Sequence, residues 1–214
     1  RPSPHKIKSD MLSGHGGLCT VRNPFLHELL DRLGFSVRFV SSTIMEPDCH
    51  ISLLVNIDNK DWWVDVGNGF PYLKPIMLGD ESEVTHPFIH YRIVNVEDRW
   101  HVQHRKPEED WKTNHHFSDI GVPYSVFDKM HHLHYSTPGW GPFLTGLRVN
   151  RWWPEGGVIL KDERASSPHG EIILKTPSEI TGWLNKWFIK SGFLDSINVA
   201  AADLIWRRTS VEFR

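Results

Sequence analysis

Cys19, His50 and Asp65 have the side-chain types that can together form an acyl-transfer site. A cysteine attacks a carbonyl carbon as the thiolate, so it needs a neighbouring imidazole that removes its proton or carries a positive charge. The imidazole in turn needs a third group, such as a carboxylate, that fixes its orientation. The three residues can therefore act as nucleophile, base and orienting group if the fold brings them together.

Taken singly, these residues have simpler explanations. A buried cysteine is most often structural, and a histidine beside an aspartate is most often a plain hydrogen-bonded pair. The histidine-rich segments 115–116 and 131–134 suggest zinc, because imidazoles are common zinc ligands. No cysteine or paired ligand spacing accompanies these segments, so we expect no metal.

The helix that positions the cysteine is predicted from the spacing of apolar residues. They recur at helical intervals and are followed by a glycine stop at Gly34: Phe25, Leu26, Leu29, Leu30 and Leu33. Because proline fits best in a first turn, the helix either begins at Asn23 or begins nearer Cys19 and bends at Pro24. In both cases Cys19 lies close to a helix N-terminus.

A β-hairpin is predicted to bring the histidine and the aspartate together. Residues 50–57 and 60–66 alternate in polarity, and Asp58-Asn59 between them tolerate the positive φ of a tight turn. A two-residue turn places Asp65 on the same face as His50, one diagonal step and about 7–8 Å away between backbones. A register slip of one residue would move Asp65 to the opposite face.

The remainder of the chain predicts short strands followed by terminal helices. Strands are expected near residues 37–40, 89–96, 100–104, 146–151 and 156–160, and helices over residues 176–187 and 199–206. The first of these helices is expected to be capped by Thr176 or Ser178. No internal repeat or linker marks an independent second domain.

Charge and hydropathy indicate small-molecule partners. The 214 residues include 24 basic and 26 acidic side chains with a net charge of -2, which argues against binding to nucleic acid or a membrane surface. No apolar stretch approaches the roughly 18 residues of a membrane span, and no signal peptide is visible. We therefore expect a soluble cytoplasmic protein, and the sequence leaves its oligomeric state open.

Several short segments match the motifs of one known family in type and order. The segment His15-Gly16-Gly17-Leu18-Cys19 is similar to an Arg-Gly-Gly-x-Cys motif, and Asn23, the helix pattern from Phe25 to Phe35, His50-Ile-Ser-Leu-Leu-Val and Val64-Asp65-Val66-Gly67 follow it. Further on are Gly141-Pro142-Phe143, similar to a Ser-Pro-Phe segment, and Leu204-Ile205-Trp206-Arg207. In these segments the chain resembles the prokaryotic arylamine N-acetyltransferase family.

The resemblance implies an α+β fold with a papain- and transglutaminase-like catalytic core. Residues 1–34 would be the remainder of a helical N-terminal region with the nucleophile, and residues 35–135 a central antiparallel β-barrel with the histidine and the aspartate. Residues 136–214 would form a C-terminal lid of sheet and helix. Because only residues 1–18 precede the cysteine, the N-terminal helical bundle is expected to be truncated.

The same resemblance implies a chemistry. Cys19 would accept an acetyl group from acetyl-CoA and pass it to an arylamine, arylhydrazine or N-hydroxyarylamine in a ping-pong reaction. His50 would be the base and later the proton donor, and Asp65 would orient it. Gly67 and Gly69 are expected to let backbone amides approach the cofactor. The substrate pocket is expected to include Asn68, Phe70, Tyr72 and Phe143.

Three departures from the family pattern leave alternatives open. His15 replaces the motif arginine, Val21 replaces a glutamate or glutamine, and Asn68 replaces an aromatic residue expected in the acceptor pocket. The replacement by Asn68 favours a more polar acceptor. The alternatives are a related Cys-His-Asp acyltransferase or amide synthase with another donor or acceptor, and a catalytically impaired relative that binds CoA.

Overall fold

An antiparallel sheet of eight strands, curled into a half-barrel, forms the centre of the first of two units, Arg1–Leu133 and His134–Arg214. The computed structural model describes residues 1–141 and 143–188. The strands are β1 Ser36–Thr43, β2 His50–Ile57, β3 Lys60–Val64, β4 Ile76–Met77, β5 Val84–Thr85, β6 His90–Val96, β7 Arg99–Arg105 and β8 Lys112–Phe117. Their order is β4-β3-β2-β1-β8-β7-β6-β5, and the α+β prediction is confirmed. The division into residues 1–34, 35–135 and 136–214 stays a prediction.

The β2–β3 hairpin has the predicted turn and register. Asp58 and Asn59 have φ of 52° and 59°, and Ile57 pairs with Lys60. The strand β3 ends at Val64, earlier than predicted, so Asp65 is the first residue after the ladder. Its side chain is therefore positioned both by the strand before it and by the loop after it.

The nucleophile helix begins at the cysteine itself. The helix α1 spans Pro4–Leu12, and α2 spans Cys19–Arg32 with Pro24 inside it. Of the two predicted starting points, the one nearer the cysteine is correct. A proline has no N–H, so Pro24 cannot bond the carbonyl of Thr20 four residues earlier. The hydroxyl of Tyr124 donates a hydrogen bond of 2.7 Å to that Thr20 oxygen instead.

Replacing Tyr124 with phenylalanine is expected to lower the free energy of unfolding by about 1–3 kcal/mol, because a buried carbonyl loses this donor. The aromatic contact with Phe39, at 5.4 Å between ring centroids, is kept in this variant. Urea unfolding of both proteins measures the difference. The matched control is Tyr135→Phe at an exposed position. Equal stability of the Tyr124 variant and the wild type would contradict the compensating role of the hydroxyl.

The second unit contains a smaller antiparallel sheet and a helix. Its strands are β9 Arg148–Trp153, β10 Gly156–Lys161, β11 Arg164–Ser167 and β12 Gly170–Ile173, in the order β12-β11-β10-β9. Along the chain, α3 is Asp128–Ser136 and α4 is Pro177–Trp187. Thr176 caps α4 in a capping box with Glu179, and Ile180 and Leu184 pack in a core with Val158 and Leu160 of β10.

The helix predicted over residues 199–206 and the segment 204–207 lie outside the described residues, as does Pro142.

None of the helices in the described part of the chain combines the length and the apolar character that a membrane span requires.

Candidate active site

The structure brings Cys19, His50 and Asp65 together inside the first unit. Each is buried, with 5%, 3% and 3% of its surface exposed. The Nε2 of His50 donates a hydrogen bond of 2.6 Å to Oδ2 of Asp65, and His50 is also hydrogen-bonded to Cys19. Since Nε2 is engaged by the carboxylate, Nδ1 is the ring nitrogen left for the sulfur.

Charges within this group favour the imidazolium form of His50. Burial opposes a charge on His50, but the Asp65 carboxylate and the Cys19 thiolate outweigh it, so the pKa of His50 lies well above its ordinary value. Burial alone would raise the pKa of Asp65, yet the charge and the hydrogen bond of His50 lower it below its ordinary value. His50 and Asp65 thus stabilise each other's charged forms, and Cys19 adds to the stabilisation of the charge on His50.

The two oxygens of Asp65 have different partners. Oδ1 accepts hydrogen bonds from the backbone N–H of Gly67 at 2.8 Å, from the backbone N–H of Asn68 at 3.1 Å and from Nδ2 of Asn23 at 3.0 Å. Oδ2 faces His50. Because three donors converge on Oδ1, the carboxylate has one orientation, and that orientation directs Oδ2 at the imidazole.

Asn23 connects the three chain segments that carry the site. It is fully buried, and its Nδ2 also donates to the carbonyl of Ile51 at 2.6 Å. Its Oδ1 accepts from the backbone N–H of Val66 at 3.0 Å. The sequence offers Asn23 only as a motif residue with no role. The sequence feature that could have indicated a role is the position of this amide in the same helix, about one turn after the nucleophile.

Gly67 lies against the nucleophile. A Cβ added to Gly67 would be 2.4 Å from Cα and 2.8 Å from Cβ of Cys19, so only glycine fits. Its amide N–H is directed at Asp65. The structure thus gives a reason for the missing side chain, which is close packing on Cys19. The cofactor role expected for Gly67 stays a prediction.

Substitution of Gly67 by alanine is expected to displace Cys19 and to destabilise the protein by about 1–3 kcal/mol, as overpacking of a close contact does. Thermal unfolding and the rate of Cys19 alkylation measure the two effects. The control is Gly182→Ala in α4, where an added Cβ meets no atom within 4 Å. Wild-type stability together with a wild-type alkylation rate would show that this contact relaxes at no cost.

His115, which the sequence suggests only as a zinc ligand, is a direct neighbour of the site. It lies on β8 with 1% of its surface exposed, and its ring centroid is 5.1 Å from that of His50. Its Nδ1 donates to Oδ1 of Asn114 at 2.8 Å, whereas its Nε2 has no hydrogen-bond partner among the described residues. Burial, and then the charge on His50, lower the pKa of His115 to about 3.

The residues expected to line the pocket fall in different places. Asn68 is beside the site, where its Nδ2 donates to Oδ1 of Asn114 at 3.1 Å. Phe70 and Tyr72 pack in or against the core of the first unit, and Gly69 has a φ of 97°. Phe143 belongs to the second unit and is 39% exposed, with its ring edge on His134. The pocket and cofactor roles of these residues stay predictions.

Comparisons with known proteins agree with the fold. The family model described as N-acetyltransferase matches residues 7–190. The uncharacterized acetyltransferase YvcN of Bacillus subtilis is 28% identical over 163 residues, which are 69% of this chain and 62% of that protein. The arylamine N-acetyltransferase / N-hydroxyarylamine O-acetyltransferase of Salmonella typhimurium is 28% identical over 152 residues, which are 67% of this chain and 53% of that protein. The chain thus spans between about half and three fifths of these relatives' length.

A solved structure shows the same architecture. The arylamine N-acetyltransferase of Mycobacterium marinum in complex with CoA superposes with a TM-score of 0.73 over 90% of this chain and 75% of that one. The two sequences are 19% identical, so the likeness concerns the fold.

Proposed function

The chain belongs to the N-acetyltransferase family, and from this premise we propose that it transfers an acetyl group from acetyl-CoA to a small-molecule amine through a thioester on Cys19. The proposed acceptors are arylamines, arylhydrazines and N-hydroxyarylamines. The observation that carries the proposal is the buried contact of Cys19 with His50, whose Nε2 is held 2.6 Å from Asp65. The M. marinum neighbour in complex with CoA and the arylamine relative from Salmonella support the donor and the acceptor class.

In the first half-reaction the thiolate of Cys19 attacks the thioester carbonyl of acetyl-CoA. The carbon–sulfur bond to CoA breaks, and the CoA thiolate leaves with the proton held by the His50 imidazolium. Asp65 keeps its hydrogen bond to Nε2 throughout, so Nδ1 stays directed at the reacting sulfur. The products are free CoA, an acetyl thioester on Cys19 and a neutral imidazole.

In the second half-reaction the amine nitrogen attacks the acetyl thioester. The nitrogen loses one proton to Nδ1 of His50 as the new amide bond forms, and Cys19 leaves as the thiolate. The imidazolium beside this thiolate is the state that began the cycle. The ring nitrogen that donates a proton in the first half-reaction therefore accepts one in the second.

A labelling experiment tests the proposal. The wild-type protein, incubated with acetyl-CoA without an amine, is expected to gain one acetyl mass on the peptide that contains Cys19 and none on the peptide that contains Cys49. A hydroxylamine or arylamine chase is expected to remove it. Absence of the adduct, or acetyl on Cys49 in equal amount, would reject the thioester route.

One observation favours a second candidate, an acyltransferase or amide synthase with a more polar acceptor. Where the family has an aromatic residue, Asn68 donates to Asn114, and Asn114 also accepts from His115. This hydrogen-bonded chain offers polar groups rather than an aromatic face. A panel of acyl thioesters paired with aromatic and aliphatic hydroxyamines separates the two candidates by product mass.

A further inference from the structure

Three buried side chains of the candidate active site place metal-binding atoms close together. His50, Asp65 and His115 each offer one ligand atom, and these atoms lie within 4.8 Å of one another. Two imidazoles and one carboxylate form one of the ligand sets of catalytic zinc sites, in which a water molecule completes the tetrahedron. Zinc binds nitrogen and oxygen at roughly 2.0–2.2 Å.

The surroundings of these atoms support metal binding. His115 donates its Nδ1–H to Asn114, which leaves the lone pair of Nε2 unused, and this buried atom has no partner in the described ranges. Metal-binding histidines usually donate their other ring N–H in this way. Asp65 is likewise held through Oδ1 by three donors. Oδ2, whose hydrogen bond is with His50, is therefore the oxygen that can bind an ion once the proton of that bond has left.

We propose that His50, Asp65 and His115 bind one Zn²⁺ ion, and that this ion reversibly inhibits acyl transfer. The ligand atoms are Nε2 of His50, Oδ2 of Asp65 and Nε2 of His115, with water in the fourth position. The proton between His50 and Asp65 leaves to solvent when the ion binds. The imidazole of His50 is then neutral and carries its only proton on Nδ1, facing Cys19. It can neither accept the proton of the thiol nor stabilise the thiolate as an imidazolium.

Zinc affinity is the primary test, and it needs no enzymatic activity. The EDTA-treated full chain, titrated with Zn²⁺ against a chromophoric chelator, is expected to bind one ion. His115→Gln is expected to weaken binding by more than about 100-fold, since the loss of an outer-shell partner alone costs 10–100-fold. The matched control is His116→Gln, because His116 stacks on His101 at 5.3 Å and is not among the three ligands. Its affinity is expected to equal that of the wild type.

A second pair of variants excludes binding by the thiol. Cys19→Ala is expected to keep its zinc affinity, and Co²⁺ bound to the wild type is expected to show tetrahedral absorption without a thiolate charge-transfer band. Asn114→Ala removes the acceptor that His115 shares with Asn68 and leaves the three ligands in place. It is expected to lose about 10–100-fold in affinity and guards against misfolding of the His115 variant. The proposal is overturned if the wild type binds no ion, or if Cys19→Ala abolishes binding while His115→Gln keeps it.

Inhibition is measured separately. Saturating Zn²⁺ is expected to prevent acetylation of Cys19 in the wild type, and EDTA is expected to restore it. Unimpaired acetylation of the zinc-bound protein would refute inhibition. The inhibition experiment rests on the proposed function, whereas the zinc titration does not. A protein that binds zinc but is never acetylated would reject the proposed function and leave the metal site established.

Discussion

Serine in place of Cys19 is expected to reduce acetyl transfer on the order of 10⁶-fold, the loss seen when the nucleophile of a serine protease is removed. The imidazolium of His50 stabilises an anionic sulfur, but a serine hydroxyl is not ionised near neutral pH, so the pair of charges does not form. The rate of arylamine acetylation and the acetyl mass on the protein both measure this loss. The substitution itself changes one buried atom, and the protein is expected to fold normally.

The matched control is Cys49→Ser. Cys49 is half-buried at the end of the loop before β2, where its sulfur accepts a hydrogen bond from the backbone N–H of Ile44 at 3.2 Å. This variant is expected to keep wild-type activity and the single acetyl adduct. Activity that survives in the Cys19 variant and disappears in the Cys49 variant would show that Cys49, and not Cys19, is the nucleophile.

Replacing Asp65 with asparagine is expected to lower the rate of Cys19 acetylation by about 10⁴-fold, the size of the corresponding loss in a serine protease. Three N–H donors converge on Oδ1, so the amide oxygen must take that place and the NH₂ group must face His50. The NH₂ group donates, which forces Nε2 to accept and leaves the proton on Nδ1. The imidazole then presents an N–H to Cys19 and cannot take its proton.

The control for this substitution is Asp61→Asn on β3 of the same hairpin. Asp61 pairs with Arg38 at 2.5 Å, away from the three catalytic candidates, and it is expected to tolerate the change with little loss of rate. Single-turnover acetylation, followed by mass spectrometry, measures both variants. An Asp65→Asn protein that acetylates within tenfold of the wild type would show that the tautomer of His50 is not set by Asp65.

The sequence predicts those parts of the site that depend on neighbours along the chain. Asp58-Asn59 force a two-residue turn, and the turn alone determines which residues of the hairpin share a face with His50. Pro24 limits the start of α2 to two places, both close to the nucleophile. Because each of these constraints acts over a few residues, local reasoning is sufficient for the His50–Asp65 pair and for a helix that starts near Cys19. The interpretation of the three residues as one site comes from the resemblance to a family.

The parts that the sequence does not predict depend on contacts between distant segments. The strand β8 reads Lys-Thr-Asn-His-His-Phe, with little of the apolar alternation that identifies a strand, and it pairs with β1 more than 60 positions earlier, Ser42 opposite Phe117. The position of His115 beside His50 follows only from that pairing. The steric demand on Gly67 likewise exists only once α2 has packed against the loop.

The hydrogen bond from the Tyr124 hydroxyl to the carbonyl of Thr20, in the first turn of α2, joins residues that are 104 positions apart in the sequence. At a synthesis rate of 5–20 residues per second, the tyrosine is made about 5–20 s after the segment it completes. During that interval the nascent polypeptide contains Cys19, but the carbonyl of Thr20 has no hydrogen bond from the Tyr124 hydroxyl. We therefore expect the thiol to gain its full reactivity after translation has passed residue 124, as a late event in the maturation of the protein.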